Sequence, residues 1–310
     1  MAAVTILGIF VADTAYRADR APRMGETILG NSFALGPGGK GSNQAVAAGR
    51  LGADVSFISR LGVDAFADMA SKIWADAGVT DATLRDADGY TGAAYVFIEE
   101  ASGDNAIIVC PGAANDIDAA MIDQKADLIE GSTVFMTQLE QPIEAARRGL
   151  QIARDAGVTT ILNPAPAAEL DDALIALCDY VTPNETEARE LTGLSVETVE
   201  DAEKAADALI ARGAGAAVIT LGEKGALLRS GGVSHHVMPF RAGPVVETTG
   251  AGDAFNGGFA TGLARGMNPV KAVRLGCATA GLSVTRAGTA PSMPTLSEVE
   301  ALLNSPARAV

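Results

Sequence analysis

The chain has 310 residues, 48% hydrophobic but only 5% aromatic, so its core is expected to be Val, Ile, Leu and Ala, as in helix-covered parallel sheets. A net charge of -15 argues against nucleic acid or an anionic membrane as the main partner, while leaving room for glycine loops that bind phosphate locally. No run approaches the roughly 18 apolar residues of a membrane span, and no basic stretch followed by a long apolar one suggests a signal peptide. Cys110, Cys178 and Cys277 are scattered, without a CxxC pair, which is the usage of a reducing cytoplasm. His235 and His236 are adjacent and would point to opposite faces of a strand, a poor metal pair.

In chain order, Val4–Phe10 is a short apolar run that reads as a buried parallel strand. It leads into Val11-Ala12-Asp13, which puts an acid just past the carboxyl end of that strand, where ligands sit in open α/β sheets. Residues 14–35 are irregular, with short strand-like pieces around Thr27–Leu35, and read as a β excursion. Gly36-Pro37-Gly38-Gly39-Lys40-Gly41-Ser42-Asn43-Gln44 then runs into a helix over Ala45–Leu51. This stretch is not a Walker A loop, because Gly41 and not Ser or Thr follows Lys40. Its GxGxxG spacing does not follow the N-terminal strand of a βαβ unit, so it is a weak dinucleotide signal. The physical reading is a glycine-lined surface that a polyol can approach, with Lys40 and Asn43 as polar contacts.

Val55–Ser59 reads as a strand and Asp64–Ala77 as a helix. Gly92–Glu99 and Asn105–Cys110 form a second β excursion that can pair with the first. Thereafter strand and helix alternate, which implies a doubly wound, mainly parallel sheet covered on both faces. Asp13, Glu140, Asn163, Asn184, Glu187, Thr220 and Gly222 all follow strands and gather along one sheet edge. The last feature is Thr248–Gly258 (TTGAGDAFNGG). Phe255, Phe259 and Leu263 recur at helical spacing, so a helix begins near Ala251 or Gly252. Its glycine-rich start offers N–H groups and the positive dipole end to a phosphate or developing oxyanion. Asp253 falls in the first turn, where it would stay ionised, or serve as no more than a helix-start acid.

Gly38–Ala48, Thr248–Gly258, Asn163-Pro164-Ala165-Pro166 and Thr182-Pro183-Asn184-Glu185-Thr186-Glu187 occur in one order over nearly the whole chain. With them the sequence resembles the ribokinase branch of the ribokinase/PfkB carbohydrate kinases. The resemblance implies a single α/β kinase domain over 1–310, with a small β lid formed by about 14–35 and 90–110. It implies an ATP-dependent kinase acting on the primary hydroxyl of a pentose, most simply D-ribose, with deoxyribokinase, another sugar or nucleoside kinase, or a non-catalytic sugar sensor as alternatives.

The roles it implies are specific. Asp253 is the base, with the amides of Gly250, Ala251 and Gly252 as the anion hole, and an unperturbed carboxylate pKa of about 3.9 is low for that task. Asp13, Gly39, Lys40, Asn43, Glu140 and Asp253 surround the sugar. Val11 stands where ribokinase has asparagine, which weakens the case for ribose and admits 2-deoxyribose. Asn184 and Glu187 serve Mg²⁺, largely through water, and the phosphates. Thr220, Gly222, Gly252, Asn256 and Cys277 are expected near the nucleotide. Glu247, Thr249, Val284 and Gly288 are candidate neighbours of an activating K⁺. Two lids are expected to pair into a homodimer.

Overall fold

The computed structural model describes residues 2–305. Its main sheet runs, in spatial order, Val233–Val237, Ala226–Ser230, Ala216–Thr220, Tyr180–Val181, Thr159–Leu162, Val134–Thr137, Ala3–Leu7, Asp54–Ile58 and Val79–Asp81. The first two of these form an antiparallel hairpin at one edge, and the rest run parallel. Successive residues of a strand point to opposite faces, and here both faces are buried. Ile6, Met136, Ile161 and Val218 join one apolar cluster, while their neighbours Leu7, Phe135, Leu162 and Ile219 join the other. That is why these strands read as unbroken apolar runs. The helices Lys40–Arg50, Ala65–Asp76, Ala251–Ala264, Pro269–Ser283 and Leu296–Leu303 cover the first face. Ile143–Asp155, Glu185–Thr192 and Val199–Ala211 cover the second.

A second sheet has the order Ser32–Gly38, Val11–Ala18, Thr91–Glu99, Asn105–Gly112. Both β excursions therefore enter one small sheet, although the first begins earlier than its sequence suggests. The core strand ends at Leu7, and Val11 already opens a strand of the second sheet. The boundary is hidden in the sequence because Ile9 and Phe10 between them are also buried, Phe10 edge-on to Trp74 at 5.9 Å. Asp13 consequently sits on a strand of the second sheet and not in a loop beyond the core strand. The first-sheet hairpin Ala226–Val237, absent from the strand reading, extends the parallel core by two antiparallel strands.

The other boundary that matters is the helix after the glycines. It starts at Lys40, not Ala45, so Lys40, Asn43 and Gln44 are helical residues held in fixed register. This helix lies close against Ala251–Ala264. A Cβ placed on Gly257 would be 2.5 Å from the Ala47 Cβ and 2.8 Å from the Gln44 carbonyl oxygen. The absence of a side chain at 257 lets the two helices approach far enough for Asn43 and Gln44 to reach Asp253.

Candidate active site

The Ala251–Ala264 helix starts from Gly250, whose φ of 81° is left-handed, a conformation that glycine adopts without a Cβ penalty. In this turn the Ala251 N–H donates to the Thr248 carbonyl at 3.1 Å. The N–H groups of Gly250, Gly252 and Asp253 have no partner among the described residues. Of the three N–H groups expected to form an anion hole, that of Ala251 closes the turn, while those of Gly250 and Gly252 are open, as is that of Asp253.

Asp253 is buried, and each carboxylate oxygen accepts one side-chain amide. Asn43 Nδ2 donates to Oδ2 at 3.0 Å and Gln44 Nε2 to Oδ1 at 3.1 Å. Burial pushes its pKa above the ordinary carboxylate range, against the opposing pull of the Lys40 charge and the two amides. The expectation of an unperturbed, weakly basic carboxylate is therefore corrected by desolvation, which favours the protonated form. The same Gln44 amide donates to Asn163 Oδ1 at 3.0 Å. Asn163 Nδ2 donates to the Thr182 carbonyl, Thr182 Oγ1 to Asn256 Oδ1 at 2.6 Å, and Asn256 Nδ2 to the Gly252 carbonyl at 2.9 Å. This chain ties the strand ends to the start of the helix. It borders a cavity of about 160 Å³ lined by Lys40, Asn184, Glu187, Thr220, Gly250 and Gly252 among others.

Just past the second sheet, Gly39 (φ 89°) delivers the chain into the helix, and a Cβ there would meet the Ile9 carbonyl at 2.4 Å. The Lys40 N–H donates to Glu140 Oε2 at 2.7 Å. Desolvation raises Glu140 to about 7, against the attraction of Lys40, and raises Asp13 to about 6. Asn43 Oδ1 is buried with no partner among the described residues, an unsatisfied acceptor on the same amide that donates to Asp253.

Asn184 and Glu187 form the capping box of Glu185–Thr192. Glu187 accepts from the Asn184 N–H and from Nδ2, while Asn184 Oδ1 accepts from the Glu187 N–H. Burial raises Glu187 as well. Asn184 is thus a helix cap on the wall of the cavity.

The remaining predicted residues are distributed as follows. Thr220 lines the cavity, while Gly222 is exposed in the turn beyond it. Asn256 lines it too, with its amide spent on Thr182 and Gly252. Cys277 is buried in the apolar cluster beneath the C-terminal helices, its thiol pushed up to about 12 by desolvation. It is not among the cavity-lining residues. Val11 is 4% exposed in the other cluster, its side chain against Gly92. Glu247, Val284 and Gly288 do converge: the N–H groups of Val246 and Glu247 reach the Val284 carbonyl, and Gly288 N–H donates to Glu247 Oε2 at 2.8 Å. Thr249 is exposed on the adjoining loop. Gln44, Gln138, Asn163 and Thr182 carry no assigned role in the sequence reading. All stand in the quoted motifs or just after a strand, the signal that picked out Glu140.

An acid raised by burial, an oriented helix start with open N–H groups, and a cavity between them suit the transfer of an anionic group to a hydroxyl. The model of the pfkB family of carbohydrate kinases matches residues 1–296. The chain belongs to that family and is a carbohydrate kinase. It is 38% identical to the ribokinase of Haemophilus influenzae over 296 residues, 95% of this chain and 96% of that one. It is 33% identical to the deoxyribokinase of Salmonella typhi over 303 residues, 97% and 98% of the two chains. The solved structure of Arabidopsis thaliana ribokinase complexed with ribose and ATP superposes with a TM-score of 0.93 at 31% identity, covering 97% of this chain and 98% of that one.

The raised Glu140 predicts a pH dependence of stability. Between about 4.5 and 7 the folded protein holds a proton on Glu140 that the unfolded chain releases, so its contribution to stability falls as pH rises through this window. The full cost, on the order of 3 kcal/mol, applies above it. Thermal unfolding of Glu140→Gln across pH 4–8 should show a weaker decline than the wild type, and parallel curves would disprove the assignment.

Proposed function

We propose that the protein transfers the γ-phosphoryl group of ATP to the primary hydroxyl of a pentose, as a ribokinase-type enzyme with D-ribose as acceptor. The observation that carries this reading is Asp253, buried with both oxygens oriented by Asn43 and Gln44 beside the open N–H groups of Gly250 and Gly252. The sugar oxygen attacks the γ-phosphorus, the bond to the β,γ-bridging oxygen breaks, ADP leaves, and the hydroxyl proton passes to Asp253. A carboxylate raised by burial is a better proton acceptor than a free one, and the open amides stabilise charge on the transferred group. The unpartnered Asn43 Oδ1, with Asp13 and Glu140, supplies acceptors for further sugar hydroxyls.

ATP is polyanionic, and Lys40 is the one basic residue among those lining the cavity. Asn184 and Glu187 present hard oxygen donors on its wall, too few to complete a shell by themselves, which fits Mg²⁺ retaining waters and taking phosphate oxygens. Bound there, Mg²⁺ supplies countercharge to the nucleotide phosphates. Asp253→Asn should fold and bind ATP while kcat falls on the order of 100- to 10,000-fold. Sugar-dependent ADP release near the wild-type rate would reject Asp253 as the base.

A second reading of the acceptor rests on Val11. An apolar residue on the same strand face as Asp13 offers no hydrogen bond to a hydroxyl, which favours 2-deoxyribose. Parallel assays with D-ribose and 2-deoxyribose decide between the two. K⁺ activation rests on the convergence of Glu247, Val284 and Gly288 behind the helix start. It predicts higher kcat in K⁺ than in tetramethylammonium at equal ionic strength, and equal rates in the two salts would exclude it.

The lid reads as part of a single catalytic unit over 1–310 and as a dimer surface. Tyr16, Phe33, Leu35, Tyr95 and Ile108 share the face opposite Asp13 by strand register and are 37–63% exposed. Tyr16 packs on Phe33 and Tyr95 at 5.0 and 5.5 Å. An apolar face of this kind is usually covered, and a second lid is the occupant proposed. Sedimentation should give a dimer for the wild type and a monomer for Phe33→Asp; a monomeric wild type would refute the pairing.

A further inference from the structure

The amide of Gln138 is buried with one end unsatisfied. Its Nε2 donates to Gln44 Oε1 at 2.5 Å, while its Oε1 has no partner among the described residues. That oxygen is wedged where Gly8 and Gly41 approach each other, and a Cβ on either would lie 2.5 or 2.7 Å from it. A half-satisfied buried amide costs stability that an apolar side chain of the same size would not. Such a group calls for a reason beyond packing.

The reason lies in the direction of the next amide. A primary amide has one donor end and one acceptor end. The donor end of Gln44 serves two acceptors, Asp253 Oδ1 and Asn163 Oδ1. If Gln44 turned over, its carbonyl would face the Asp253 carboxylate, and both acceptors would lose their donor. Only a donor opposite Gln44 Oε1 holds the productive direction, and Gln138 Nε2 is that donor. Gln138 is held in turn by its neighbourhood: its backbone carbonyl accepts from Gln141 Nε2 at 2.6 Å, and Gln141 also donates to Thr137 Oγ1. The unpaired atom left over is a carbonyl oxygen, which is tolerated more readily than an unpaired N–H.

We infer that Gln138 is a positioning residue for phosphoryl transfer, acting through Gln44 to aim an N–H at Asp253 and so fix the carboxylate that receives the sugar proton. The inference rests on the kinase reading given above. A side chain at Gly41 would collide with the Gln138 amide and with the Gly8 backbone.

The test is a double-mutant cycle on kcat with ATP, Mg²⁺ and either D-ribose or 2-deoxyribose. Gln44→Met and Gln138→Met should each lower kcat by about 10- to 100-fold, the worth of a hydrogen bond to a charged group, while leaving KM for ATP near the wild-type value. In the Gln44→Met background, Gln138→Met should cause no further loss, because its route to Asp253 is already cut. Losses that multiply in the double variant would overturn the relay, as would a Gln138→Met enzyme with wild-type kcat. Should a methionine variant fail to fold, Gln44→Leu and Gln138→Leu complete the same cycle. A wild type that releases no ADP with either sugar would overturn the kinase reading and the relay with it, whereas multiplicative losses in an active wild type reject the relay alone.

Discussion

The close approach of two helices governs this molecule. A carboxylate at the start of Ala251–Ala264 is buried only because the Lys40–Arg50 helix comes near enough to give it two amides. An isolated buried carboxylate would be costly, and hydrogen bonds to it offset part of that cost. Gly257 and Ala47 set the distance between the helices. What reaches Asp253 from the other side, through Gln44 and Asn163, comes from the carboxyl ends of the parallel strands. The sheet, the glycine contacts and the carboxylate are therefore parts of one constraint.

The electrostatic character of the site follows from the same burial. Asp13, Glu140, Glu187 and Asp253 are all raised by desolvation, and Lys40 is the charge that opposes it at the last three. A cluster so rich in acids would repel a nucleotide if every group were fully charged. Raised pKa values, open N–H groups and a divalent cation each reduce that repulsion. The overall charge of the chain is thus compatible with an anionic substrate, because local geometry and not net charge sets the potential in the cleft.

Much of this was legible in the residues. Apolar runs followed by polar residues located the sheet edge, and the spacing of Phe255 and Phe259 located the helix that presents Asp253. The glycine clusters marked the starts of the two helices that meet at Asp253. Less legible were the boundaries. Val4–Phe10 reads as one strand although the chain leaves the main sheet after Leu7, because the connecting Ile9 and Phe10 are as buried as the strand itself. The helix at Lys40 opens with Lys-Gly-Ser-Asn, residues that favour loops in isolation, and tertiary packing overrides that preference. Its place just after a strand flags Gln138 as it does Glu140, but not its hydrogen bond to Gln44, 94 positions away.

By itself the sequence determined the class of fold, the order of the motifs and the chemical types available at the site: one carboxylate after a glycine turn, one lysine, and amides at strand ends. These depend on local periodicity and on the few conformations open to glycine-rich turns. The tertiary structure alone decided which amide faces which oxygen, which of the three expected N–H groups was already spent, and how far burial raises each acid. Such properties depend on groups far apart in the chain meeting in a space with little water, where direction and desolvation have no signature in local sequence.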